Sequence, residues 1–174
     1  CGHEENTGLA NHLIMITDDL SSHVMNSIDT TEGGFAGSDM FKGEIPVVEN
    51  QLATDFGGHL LKFKSYLSTS IDSSGAPNNG QWYELTANLC NSAMWWGSPS
   101  QYSNNKNGTK YNIGDEDTQL PIMKLHTAER FSNNWVWLRD IYNSSAFALA
   151  DRDGSASWSS ASTSRDARAF FLIG

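Results

Sequence analysis

The hexapeptide Trp-Val-Trp-Leu-Arg-Asp at 135–140 constrains the fold of this chain more than any other stretch. Its two tryptophans fall on one face of an extended strand, and Val136 and Leu138 fall on the other face. A strand that carries large apolar side chains on both faces is covered on both faces. The hexapeptide therefore predicts a strand in the centre of a sheet.

A β-hairpin and a closing strand are predicted after this central strand. Residues 145–150 alternate large apolar side chains with small ones, and the Asp-Gly pair at 153–154 is a strong signal for a hairpin turn. The return strand at 155–160 is almost entirely small and hydroxylated, apart from Trp158. The apolar residues at 168–174 are predicted to close the same sheet.

One amphipathic helix is predicted upstream, from about Glu44 to Phe56. Pro46 is acceptable in its first turn, and the Gly-Gly pair at 57–58 supplies its C-terminal stop. The glycine-rich segment 25–38 predicts a structured loop that leads into this helix. The apolar residues recur at intervals of three and four and predict a core-packing face made of Phe41, Ile45, Val48, Leu52 and Phe56.

The predicted fold class is α+β, with an antiparallel sheet, one main helix, one short helix and long polar loops. At 174 residues the chain is long enough to bury its own core, so residues 1–174 are interpreted as a single domain. Because the chain starts at Cys1, we expect a C-terminal fragment of a longer protein. The remaining segments are predicted as a buried strand at 11–17, a strand at 60–68 paired with 81–86 across a turn at 73–80, a short helix at 87–96, and a polar surface insertion at 98–118.

The composition narrows the classes of partner. With 20 acidic and 11 basic side chains the net charge is −9, which argues against nucleic acid because that affinity comes from Lys and Arg on phosphates. No apolar run approaches the roughly 20 residues that cross a bilayer, so membrane insertion is not expected. The low share of charged residues and the abundance of Ser, Asn, Thr and Gly are typical of extracellular or virion β-rich modules.

The sequence offers no recognisable catalytic or metal-binding pattern. Its five histidines are scattered, and it contains neither a nucleophile motif nor a phosphate-binding loop. The acidic triplet at 115–117 lacks the spacing of a calcium loop, and the two cysteines, Cys1 and Cys90, do not resemble a zinc site. We therefore expect no enzyme, no metal and no cofactor.

A polar set with aromatic members surrounds the predicted hairpin and has no evident role in the core. Aromatic anchors among adaptable Ser and Asn side chains are typical of recognition surfaces, and Trp158 is the strongest candidate. Plain solvent exposure of a Ser-rich hairpin is the alternative explanation for each residue. The predicted ligand-binding residues are Tyr142, Asn143, Ser144, Asp151, Arg152, Ser157, Trp158, Ser160 and Thr163.

Five motifs together resemble a known domain: Gly-Gly-Phe-Ala-Gly-Ser-Asp-Met at 33–40, Phe-Gly-Gly-His-Leu-Leu at 56–61, Trp-Leu-Arg-Asp at 137–140, Phe-Ala-Leu-Ala-Asp-Arg-Asp-Gly at 147–154 and Arg-Ala-Phe-Phe-Leu-Ile-Gly at 168–174. The arrangement is similar to an uncharacterised domain of tail and surface proteins of bacteriophages and gut bacteria. Its C-terminal half resembles the C-type-lectin-like fold of phage receptor-binding and diversity-generating variable proteins. Ala169 stands where that family has proline, and the calcium-lectin motifs are absent, so no calcium-dependent sugar site is implied.

The resemblance implies a non-catalytic binding module of a phage tail fibre or similar appendage, which recognises a host-surface glycan or protein. The alternative is a structural virion module of the tail, baseplate or decoration type that contacts neighbouring subunits. A homo-oligomer, by analogy a trimer, and a location in the virion or at an extracellular surface follow from the same resemblance. The fold also hosts formylglycine-generating oxidases, but their paired active-site cysteines have no counterpart here.

Overall fold

The computed structural model of this protein describes residues 11–104, 119–130 and 134–174. The predictions for Cys1 and for the acidic triplet at 115–117 lie outside the described residues, as does most of the insertion predicted at 98–118. The strands are β1 Leu13–Ile16, β2 Leu20–His23, β3 Leu60–Leu61, β4 Phe63–Ile71, β5 Pro77–Leu85, β6 Ala87–Leu89, β7 Val136–Asn143, β8 Ala146–Ala150, β9 Ala156–Ser160, β10 Arg165–Ala167 and β11 Ala169–Ile173.

The helical segments are a π-helical turn at Met40–Glu44, α1 at Ile45–Phe56, a 3₁₀ turn at Gly57–His59, α2 at Ser92–Trp96, α3 at Pro121–Leu125 and a 3₁₀ turn at Thr127–Arg130. The first three run on from one another and form the main helix. The chain is mostly sheet with one main helix, which confirms the predicted α+β class. In the part of the chain that the structure describes, no helix is long and apolar enough to cross a membrane.

The described strands form three sheets. The five-stranded sheet has the order β2-β10-β7-β8-β9, in which only the pairing of β10 with β7 is parallel. In the four-stranded sheet β11 pairs with β1, β3 and β6. Strands β4 and β5 form a separate two-stranded sheet, which confirms the predicted pairing for residues 63–68. Leu60 and Leu61 pair with β11 instead, and the turn predicted at 73–80 is shorter because β5 begins at Pro77.

Strand β7 is central, as the hexapeptide predicts. It lies between β10 and β8, and the side chains of Val136, Trp137 and Leu138 are fully buried. The indole Nε1 of Trp137 donates a hydrogen bond to the carbonyl oxygen of His23, 2.9 Å away, so this buried polar group is satisfied. The core is therefore built around a strand covered on both faces.

The predicted helix is confirmed at Ile45–Phe56. Pro46 lies in the first turn of α1, directly after the π-helical turn, and Gly57 ends α1 with φ +54°. Leu52 packs in a small cluster with residues of β6 and β11, and the rings of Phe56 and Phe171 lie 5.2 Å apart. Val48, Leu52 and Phe56 of the predicted face thus pack against the four-stranded sheet. Ile45 belongs to the main core, and Phe41 packs on Phe35 and Tyr83.

The final strand belongs to a different sheet from the one predicted. Residues 168–174 do not close the sheet of the hairpin, because the chain changes sheets between β10 and β11 at Arg168. The buried Arg168 guanidinium donates hydrogen bonds to the carbonyl oxygens of Thr17, at 2.9 Å, and Glu129, at 2.8 Å. A buried charge held by backbone carbonyls fixes this crossing point.

Two other segments differ from their predictions. Residues 87–96 form β6 and then α2 rather than one helix, because β6 pairs with β11 and Asn91 caps α2 by accepting a hydrogen bond from the backbone N–H of Met94. The strand predicted as buried at 11–17 is half-exposed, since Leu13 and Met15 are 63% and 38% exposed.

The glycine-rich loop before α1 approaches the backbone of β4 closely. Gly34 has φ +68°, and a Cβ atom added there would lie 2.3 Å from the carbonyl oxygen of Ser68. The backbone N–H groups of Phe35 and Ala36 donate to Oγ and to the carbonyl oxygen of Ser68, at 2.9 and 3.0 Å. Only glycine satisfies both the backbone conformation and the contact.

We predict that Gly34→Ala lowers the free energy of unfolding by at least about 3 kcal/mol, because a strained φ and a backbone clash act together. Urea unfolding followed by circular dichroism measures the change. Gly43→Ala is the matched control, since nothing lies within 4 Å of a Cβ there, and we expect a gain of about 0.5–1 kcal/mol from helix propensity. Equal effects of the two substitutions would contradict the close approach.

Candidate functional site

Three aromatic side chains, Tyr102, Tyr142 and Trp158, form a contiguous aromatic cluster. The ring centroids of Tyr142 and Trp158 are 5.4 Å apart, and those of Tyr102 and Tyr142 are 5.3 Å apart in an edge-to-face arrangement. Trp158 is 44% exposed, while both tyrosines are half-buried. The cluster thus holds a large aromatic surface in a fixed position in contact with solvent.

The alternation of β9 explains why the indole reaches the cluster. Ala156, Trp158 and Ser160 share one face of the strand, and the intervening serines take the other. On β8 the residue opposite Trp158 is Ala148, which is fully buried. Strands β7 and β9 lie roughly 10 Å apart on either side of β8. Because alanine fills little of that gap, Trp158 and Tyr142 make contact across the intervening strand.

The same strand has an open hydrogen-bonding edge. The backbone N–H of Asp151 donates to the carbonyl oxygen of Ser155, and that of Ala161 to the carbonyl oxygen of Ser145. These bonds lie at the two ends of the β8–β9 ladder. They show that the backbone N–H and C=O groups of the odd-numbered residues of β9 point toward β8. The N–H and C=O groups of Trp158 point away from β8, and no described strand pairs there. Trp158 therefore offers both a ring and backbone polar groups at one edge.

A buried carboxylate holds the segment that carries Tyr102. Asp140 accepts hydrogen bonds from the Ser103 hydroxyl at 2.6 Å and from the backbone N–H of Ser92 at 2.8 Å. The backbone N–H of Asn104 donates to the carbonyl oxygen of Ile141 at 2.9 Å. Residues 102–104 of the predicted surface insertion therefore pack on β7, with Ser103 buried.

The nine predicted ligand-binding residues do not all lie together in the structure. Tyr142, Trp158 and Ser160 lie on or beside the cluster, and Thr163 lies close by, since its backbone N–H donates to the carbonyl oxygen of Ser160. Ser157 lies on the opposite face of β9 from Trp158, because strand side chains alternate. The structure therefore does not bring Ser157 and Trp158 together on one face of the strand.

The other four predicted residues lie at the turns that flank β8. The carbonyl oxygens of Asn143 and Ser144 accept from Thr31, through its hydroxyl at 2.8 Å and its backbone N–H at 3.0 Å. Asp151 and Arg152 lie in the β8–β9 turn, where the backbone N–H of Gly154 donates to the carbonyl oxygen of Asp151 at 2.9 Å. These four residues thus belong to structural turns and do not join the aromatic cluster.

Sequence reasoning missed Tyr102 and a second group of polar side chains. Tyr102 lies in a polar stretch whose packing on β7 no local pattern reveals. The second group is Ser21, His23 and Glu44, which are linked by contacts of 3.0 and 3.1 Å. A Ser-x-His pair on a strand shares one face and was a usable signal, whereas the position of Glu44 depends on the fold. Among the described residues, no cluster of three or more His, Cys, Asp or Glu could hold a metal ion.

Comparison with protein-family models, with curated proteins and with solved structures finds no match to this chain.

Burial raises the pKa of Asp140 from 3.8 to about 6, and hydrogen bonds from Ser103 and Ser92 only partly oppose this rise. A carboxyl group with a higher pKa in the folded state binds its proton more tightly there. The contribution of Asp140 to stability therefore increases as the pH falls from about 6 toward 3.8.

We predict that acidification from pH 7 to pH 4 stabilises the wild-type protein relative to Asp140→Asn, by up to about 3 kcal/mol at about 1.4 kcal/mol per pKa unit. Chemical unfolding of both proteins at each pH gives this difference. Asp29→Asn is the control of opposite sign, because hydrogen bonds from Ser162 lower the pKa of the exposed Asp29. A pH-independent difference between wild type and Asp140→Asn would contradict the effect of burial.

Proposed function

We propose that this chain is a binding module of a phage tail fibre or similar extracellular appendage, and that the aromatic cluster of Tyr102, Tyr142 and Trp158 recognises a glycan on the host surface. The observation that carries the proposal is the position of Trp158, which is 44% exposed, stacked on Tyr142 and located on an open strand edge. Tryptophan and tyrosine dominate the energetics of recognition surfaces. The phage and gut-bacterial resemblance of the sequence motifs supplies the biological setting and the proposed C-type-lectin-like arrangement.

The size of the cluster favours a glycan over a folded protein. Each aromatic side chain offers at most roughly 150–250 Å², and all three are partly covered already. A stable protein interface needs roughly 800 Å² on each partner. Ser160 shares the face of β9 that carries Trp158, and both Ser160 and Thr163 are partly exposed. A ring with hydroxyl groups at its border suits a sugar, which presents a C–H face and hydroxyls of its own.

A structural role between virion subunits is the second candidate, and the open edge of β9 favours it. Exposed strand edges pair readily with strands of other chains. In a homo-oligomer, for example a trimer, such pairing would bury Trp158 in a subunit contact. The two roles therefore differ in whether Trp158 stays exposed in the assembly.

We predict that Trp158→Ala weakens binding of the purified protein to a mixed glycan array and to host cells by about 30-fold, the effect of losing a contact worth about 2 kcal/mol. The thermal midpoint should change little because the side chain is half-exposed. Trp82→Ala is the matched control: Trp82 is 40% exposed and its ring lies 5.2 Å from that of Tyr66, on the separate β4–β5 sheet.

Equal binding by the two variants would rule out recognition through the aromatic cluster. If Trp158→Ala keeps full binding but shifts the protein to a smaller species in light scattering, the structural role replaces the recognition role. Loss of binding in Trp158→Ala alone, with unchanged mass, supports the proposal.

A further inference from the structure

Ser21, His23 and Glu44 form one hydrogen-bonded chain away from the aromatic cluster. Oγ of Ser21 lies 3.0 Å from Nε2 of His23, and Nδ1 of His23 lies 3.1 Å from Oε2 of Glu44. Because a carboxylate only accepts, it holds the proton of the neutral ring on Nδ1 and leaves Nε2 to accept from the Ser21 hydroxyl. This is the order of nucleophile, base and orienting carboxylate in serine hydrolases.

The local structure places each member of this chain. Ser21 and His23 are two residues apart on β2 and share a face, while Ser22 points the other way and donates to Asp166 at 2.6 Å. Glu44 is the last residue of the π-helical turn that precedes α1. Such turns are rare and occur frequently at functional sites. The fold thus brings together two elements that are distant in sequence.

The same three side chains line a groove of about 410 Å³ between β2 and α1. This volume falls within the range of small-molecule sites. Much of the wall is apolar and includes Leu20, Met40, Ile45, Val47 and Val48. A nucleophile beside an apolar wall suits a substrate with a short aliphatic acyl chain, and the net charge of −9 disfavours an anionic one.

We propose that Ser21, His23 and Glu44 form an ester-hydrolysing site for neutral esters with short acyl chains. This site is independent of the aromatic cluster, because it lies at β2 while Trp158 lies at β9, the opposite edge of the five-stranded sheet. Ser21 and His23 are the catalytic residues, and Glu44 is a positioning residue that acts through His23.

In the acylation step, Oγ of Ser21 bonds to the ester carbonyl carbon while its proton passes to Nε2 of His23. The bond from that carbon to the alcohol oxygen breaks, and the alcohol leaves with the proton. Water then attacks the acyl-serine, gives a proton to Nε2, and the carboxylic acid leaves as the Ser21 hydroxyl is restored. Strand β2 lies at the edge of its sheet, and the proposal assigns stabilisation of the oxyanion to backbone N–H groups on the open side of this strand.

Hydrolysis of p-nitrophenyl butyrate by the full chain tests the site, with release of p-nitrophenolate as the readout. We expect Ser21→Ala to reduce hydrolysis to the buffer rate and His23→Gln to reduce kcat by about 100-fold or more. Glu44→Gln should lower kcat with KM unchanged, and Glu44→Asp should recover part of the loss. Circular dichroism checks that each variant is folded.

The matched controls are Ser73→Ala and His59→Gln, which replace an exposed serine and an exposed histidine outside the groove. Both controls should hydrolyse the ester at the wild-type rate. A fluorophosphonate probe should label Ser21 in peptide mass spectrometry, with loss of fluoride, and the label should disappear in His23→Gln. Hydrolysis by wild type no faster than by Ser21→Ala, or labelling at another serine, would overturn the proposal.

Discussion

The buried guanidinium of Arg168 is the interaction on which the arrangement of the two larger sheets depends. It lies between β10, in the sheet of the hairpin, and β11, in the sheet that packs against α1. Its hydrogen bonds reach the segment after β1 and the turn after α3, and its charge lies 5.8 Å from the centre of the Trp95 ring. Hydrogen bonds that involve a charged group contribute about 1.5–3 kcal/mol each, and a neutral residue at 168 would remove both of these bonds. A neutral residue at 168 would therefore weaken the contacts of the β10–β11 junction with the segment after β1, with the turn after α3 and with Trp95.

Short-range patterns predicted the elements that depend on neighbouring residues. The alternation at 135–140, the Asp-Gly turn at 153–154 and the spacing of apolar residues in α1 are each complete within one element, so β7, the hairpin and the helix were predicted from the sequence. Sheet membership depends on partners distant in sequence. The assignment of 168–174 to the hairpin sheet failed because no local pattern records that Arg168 bonds to Thr17, 151 residues away.

In the candidate site, too, local patterns predicted some residues, while others are brought in only by contacts between residues distant in sequence. Trp158 stood out as the one aromatic residue in a hydroxylated strand, whereas Tyr102 joins the cluster only because Ser103 bonds to Asp140, 37 residues away. The chain of Ser21, His23 and Glu44 likewise needs β2 to lie beside the first turn of the main helix. Both proposed sites lie on edge strands of one sheet, β9 and β2, whose rigid centre is the buried strand β7. Edge strands leave backbone donors and acceptors available to ligands, which interior strands do not.

The small side chains of β8 bear on how this surface could evolve. Alanines at 146, 148 and 150 are buried beneath the cluster, while the residues that alternate with them, Phe147 and Leu149, fill the core. On β9, Ser159 is buried, but Ala156, Trp158 and Ser160 are at least partly accessible. Substitutions at these three positions alter what the edge contacts while leaving the packing of Phe147 and Leu149 intact. One face of the hairpin thus packs the core, while side chains on the other face can be exchanged without disturbing that packing.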